Sequence, residues 1–216
     1  MICSNRFPRV TEPAMPRFTP RRAWMPLSDA EWAALAPHLR RWMRAAPGTA
    51  GRRAGRPLGD EWRNRMDAML HAAVSGQPWH ALPEQFGKPD TVSRHFRRLA
   101  HAGLWSRLLV ALTLPQCPPA LRGIEYWLCR AARRAMRLLR MGGLMLARRL
   151  GLFSALPMLP CYMPNRDLSE ALHRFQARLL DRLFSDPPPP GTLTRLGRLL
   201  AYAGGRRVWS KKFAPP

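Results

Sequence analysis

The chain has 216 residues, of which 36 are basic and 13 acidic, giving a formal charge of +23. That length holds one or two small domains with apolar cores, and no run of 18 apolar residues is present to cross a bilayer. So basic a balance points to a polyanionic partner, although the codon usage of a GC-rich genome would also inflate the arginines.

Residues 1–26 carry five prolines among scattered arginines and are expected to form a disordered basic tail. The N-terminus lacks the continuous apolar segment of a signal peptide. Ser28 and Glu31 have the spacing of a capping box, which predicts a helix presenting Trp32, Leu35 and Leu39. The glycine- and arginine-rich stretch 47–59 is expected to be a linker, whose Arg52, Arg53 and Arg56 can also enter a DNA minor groove. Asp60 to Val74 is strongly periodic, with Trp62, Met66, Met69, Leu70 and Ala73 on one side.

The stretch 75–109 carries the clearest pattern. A turn leads to a short helix that tolerates Pro83 in its first turn, and Gly87-Lys88-Pro89 makes a second turn. Asp90 or Thr91 then N-caps a longer helix. Val92, Phe96 and Leu99 share its core face, and Ser93, Arg94, Arg97, Arg98 and His101 lie opposite, with Thr91 at the helix start. A short helix, a turn and a basic helix form a helix-turn-helix, whose second helix reads the major groove. The same pattern also fits an ordinary basic surface helix.

The wording of this stretch is distinctive. It contains Gly76, Pro78, Trp79, Leu82, Pro83, Glu84, Phe86, Gly87, Thr91 and Val92, then Phe96-Arg97-Arg98, Gly103-Leu104-Trp105, Leu108 and Leu109. Upstream stand Leu27-Ser28-Asp29, Glu31-Trp32, Leu35, Pro37 and Leu39, with Gly55-Arg56-Pro57 between. In these residues the chain resembles the N-terminal domain of insertion-sequence transposases of the four/five group, over roughly residues 26–112. Gln77 and His80 stand where a cysteine and an arginine are common in that family. The resemblance implies a helix-turn-helix domain over 27–114 that binds double-stranded DNA.

In that family a catalytic core with an acidic triad follows, binding two divalent metals. After Pro115 this chain has only Glu125, Asp167, Glu170, Asp181 and Asp186, and no alternating strand pattern. Asp167 and Glu170 are expected to cap a helix as in a capping box. Leu121 to Leu150 reads as a basic amphipathic helix with Ile124, Trp127, Leu128, Ala131, Ala135, Leu138 and Leu139 in one stripe, bent or ended at Gly142-Gly143. Further helices are expected at 167–184 and, after a proline-rich linker, at 192–203, followed by a basic tail. An out-of-frame C-terminus would have a similar composition.

The expected class is all-α: a three-to-five-helix DNA-binding domain, loose basic helices over 115–186, and a linker, short helix and tail over 187–216. Cys3, Cys117, Cys129 and Cys161 lack metal-ligand spacing and read as free thiols in a cytoplasmic protein. No cofactor, metal, catalytic residue or small-molecule substrate is expected, and homodimerisation stays open. The expected role is that of a truncated or remnant transposase that binds DNA without cleaving it. Two alternatives stand beside it: the DNA-binding half of an active transposase completed by a frameshifted catalytic frame, and a polyanion- or membrane-surface binder using the 121–150 helix.

Overall fold

Ser28 and Glu31 form the reciprocal pair that their spacing predicts. The Ser28 amide donates to Glu31 Oε2 at 2.9 Å and the Glu31 amide to Ser28 Oγ at 3.3 Å, satisfying two donors that a helix start otherwise leaves unpaired. Helix α1 (Asp29–Met43) follows. The computed structural model describes residues 15–43 and 61–205, with only the backbone given for 40–43. The linker 47–59 with Arg52, Arg53 and Arg56, and the basic tail from 206, lie outside the described residues. The remaining helices are α2 (Glu61–Ser75), α3 (Pro89–His101), α4 (Leu104–Thr113), α5 (Pro119–Gly123), α6 (Glu125–Arg149), α7 (Arg166–Asp181) and α8 (Thr192–Ala203). The fold class is all-α, and the only β pairing among the described residues is an isolated bridge between Arg17 and Leu152.

The core is organised around α6, against which α2, α3 and α4 all pack. Trp127, Leu128, Ala131, Ala132, Ala135 and Met136 are buried there, in one cluster with Met66, Leu70, Phe96, Trp105 and Leu108. The alanines let neighbouring helices approach closely, and Trp127 fills the volume between them. The core therefore continues past the expected boundary at 114/115, where the prolines redirect the chain without ending the packing. This arrangement also occupies the apolar stripe of α6, which is turned inward and is not available to a lipid surface.

Residues 15–26, expected within a disordered tail, run as an extended strap over α6. Arg17 makes a bidentate contact with the buried Glu125 at 3.1 and 2.9 Å, and Thr19 Oγ1 donates to the same carboxylate at 2.7 Å. Trp127 Nε1 donates to the Ala23 carbonyl at 3.2 Å, and the Arg22 guanidinium lies 4.3 Å above the Trp127 ring. Arg22 also donates to Gly123 O at 2.6 Å and pairs with Glu31 at 3.0 Å. Prolines forbid a helix here but not an extended strap, which is attached by these side chains and by the backbone bridge of Arg17 to Leu152. Beneath the strap, burial pushes the Cys129 thiol up to about 12, so this cysteine stays protonated and unreactive.

The bend expected at Gly142-Gly143 falls at Arg140, whose φ of 53° and ψ of −145° interrupt α6 before it resumes. That conformation suits glycine and costs an arginine about 1–3 kcal/mol. Gly143 is fixed by close approach instead, since a Cβ there would lie 2.5 Å from Leu139 Cβ. Further on, Asn165 and not Asp167 caps α7, its side chain accepting from the Leu168 amide at 3.2 Å. Asp167 instead pairs with Arg149 at 2.6 Å, and Glu170 with Arg166 at 2.7 Å. No residue of α7 is buried, and only Leu196 and Ala203 are buried in α8, so looseness belongs to this hairpin and not to 119–156.

Replacing Trp127 by alanine should lower the unfolding free energy by about 3–5 kcal/mol, read from urea denaturation. A chain ending at Pro115 should lose cooperative thermal unfolding. An unchanged transition in that shortened chain would mean that α6 is not part of the core.

Candidate nucleic-acid interface

The interface is built from α2, two tight turns and α3. Gly76, at φ 73°, ends α2, and its amide donates to Ala72 O at 3.2 Å. The short helix expected around Pro83 is instead two 3₁₀ turns, Trp79–Ala81 and Glu84–Phe86, because the prolines at 78 and 83 restart the chain each time. Gly87 then takes φ 79° with nothing within 4 Å of where a Cβ would sit, so the backbone angle alone calls for glycine. α3 begins earlier than expected, with Lys88 at the N-cap, two residues before Asp90, and Pro89 in the first turn. Proline's fixed φ suits that position, so neither Asp90 nor Thr91 is needed as a cap.

On α3, Val92, Phe96, Leu99 and Ala100 face the core, and Trp79 covers Phe96 at a ring-centroid distance of 5.2 Å. Arg94, Arg97, Arg98 and His101 are exposed and Thr91 is half-exposed. Spacings of three, one and three put those four residues on a single stripe. Among the described residues they form no hydrogen bond or ion pair, and Asp90, one turn before Arg94, does not engage it. Ser93 does not join this face. It is 7% exposed and points inward with Phe96 and Ala100, three and seven positions on. That spacing was the available signal, and its serine identity obscured it. Lys88, exposed beside the start of α3, is a cation that sequence reasoning passed over.

His95 lies under the stripe between α2 and α3. Arg65 NH1 donates to His95 Nε2 at 2.7 Å, which requires that nitrogen to be an acceptor and hence the ring to be neutral. Trp62 meets the ring edge-to-face at 5.7 Å. Burial first, then Arg65 and Arg98, hold its pKa below the ordinary 6.5.

The arginines of α6 complete the support. Arg134 NH1 donates to Ala72 O and Gln77 O, both at 2.8 Å, and Arg130 Nε to Ala73 O at 3.3 Å. They satisfy the last carbonyls of α2 and place positive charge at its negative dipole end. The Arg134 guanidinium also stacks on Trp79 at 4.1 Å. Among the described residues no group of three His, Cys, Asp or Glu side chains comes together to hold a metal. No helix of the described residues is long and apolar enough to cross a membrane.

A family model described as "Putative transposase of IS4/5 family" matches residues 27–109, the N-terminal region of the chain, from Leu27 before α1 to Leu109 within α4. Over that span the chain is similar to this family. No curated protein and no solved structure matches the chain.

Because the unfolded chain takes up a proton near 6.5 that folded His95 refuses, its contribution to stability is complete above that pH. It is lost progressively as the pH falls below it. In urea denaturation, His95→Gln should therefore lose less stability than the unsubstituted protein between pH 7.5 and 5.5. An equal loss would remove His95 as a source of the pH dependence.

Proposed function

We propose that the chain binds double-stranded DNA through the exposed face of α3, with α2 and the two turns forming the first part of a helix-turn-helix. The observation that carries this reading is the exposed stripe of Arg94, Arg97, Arg98 and His101, unpaired among the described residues, on a helix whose opposite side is locked into the core. Guanidinium groups there can reach guanine edges or phosphate oxygens, with Thr91 beside them and Lys88 at the helix start. Arg52, Arg53 and Arg56 add contacts from the linker. Ser93, being buried, has no part in it.

The role proposed is binding without cleavage. Glu125 and Asp167 are spent in arginine pairs, and Glu170 is paired within its own helix, which supports a structural use of these carboxylates. The membrane-surface alternative loses its basis, because the apolar stripe of α6 is occupied by α2, α3 and α4.

Duplexes selected from a random-sequence pool, with binding read by fluorescence anisotropy, test this directly. Arg94→Ala and Arg97→Ala should each weaken specific binding about tenfold or more. Ser93→Ala should leave affinity unchanged. Wild-type affinity in both arginine variants would remove α3 as the contact surface.

A further inference from the structure

We propose that α6 carries a second phosphate-contacting surface, a ridge of Arg133, Arg137 and Arg140, which extends the DNA contact of α3 along the duplex backbone. The proposal rests on the α3 reading above and names further residues for it.

Between Arg130 and Arg140 the helix holds five arginines and no carboxylate. Its one acid, Glu125, is committed to Arg17 and Thr19. The five arginines divide by role. Arg130 and Arg134 turn toward the carbonyls of α2, as described. Arg137 and Arg140 are exposed and bond to no other described residue, and the exposed Arg133 makes a single hydrogen bond, to Pro157 O at 2.6 Å. Like charges three and four residues apart on a helix repel, so a ridge without acids costs stability unless a polyanion neutralises it. α7 shows the contrasting arrangement, with Asp167 and Glu170 paired to Arg149 and Arg166.

Position links the ridge to α3. Arg134, in the same helix as the ridge, stacks on Trp79, and Trp79 packs on Phe96 of α3, so the turn 79–81 ties α6 to α3. α3 also packs directly on α6, which fixes both in one body. Backbone strain adds a separate observation: Arg140 holds a conformation that glycine would adopt freely. Guanidinium groups bind phosphate oxygens in a bidentate manner, as a nucleic-acid backbone requires. An anionic lipid surface is the less favoured partner, because the apolar side that would insert is already buried.

The test uses the full chain and the salt dependence of duplex binding, with Arg133→Ala, Arg137→Ala and Arg140→Gly as variants. Each should reduce the slope of log K against log salt by about 0.9, and should weaken specific and random duplexes alike. Arg140→Gly relieves strain and should melt no earlier than the unsubstituted protein, so its weaker binding would not reflect misfolding. Unchanged slopes in all three variants, with binding still weakened by Arg94→Ala, would overturn the ridge and leave the α3 reading standing. No preference for duplex over heparin in the unsubstituted protein would overturn both. If the variants lose affinity for phosphatidylserine vesicles while their duplex slopes stay unchanged, the ridge serves a lipid surface and the DNA assignment falls.

Discussion

Trp127 ties together parts of the chain that lie about a hundred residues apart. Its ring fills the centre of the helical core, its indole N–H holds the strap at Ala23, and its face receives the Arg22 guanidinium. Glu125, two residues earlier, anchors the same strap through Arg17. Without α6 in place, the inner faces of α2, α3 and α4 would stand open to water. The matched segment 27–109 therefore shares its core with a helix that lies beyond the matched residues.

This dependence sets the geometry of the candidate interface. α3 can hold an exposed cationic stripe because its other side is fixed by Val92, Phe96 and Leu99 and by the turns around Trp79. The arginines of α6 show how one residue type serves two ends. Arg130 and Arg134 cap α2 and steady the approach to α3, whereas the exposed Arg137 and Arg140 bond to no other described residue. The overall charge of +23 does not distinguish these roles, but local hydrogen bonding does.

Much of this was legible from residue order. Periodicity located α2 through Trp62, Met66 and Met69, and α3 through Val92, Phe96 and Leu99. The Ser28–Glu31 spacing marked the start of α1, and Thr192 to Ala203 appeared as the last helix. Features set by distant contacts were not legible. Ser93 looked like a surface residue because nothing local shows how wide the buried face of α3 becomes once α2, α4 and α6 surround it. The strap looked disordered because its order comes from Glu125 and Trp127, far along the chain. Asp167 looked like a cap, but Arg149 claims it and Asn165 takes the role.

The most direct measurement is photo-crosslinking to a selected duplex carrying bromodeoxyuridine, followed by peptide mapping of the attached residues. The account predicts attachment within 88–101, on α3, and within 133–140, on the outer face of α6. Attachment confined to the α7–α8 hairpin, 166–205, would contradict it.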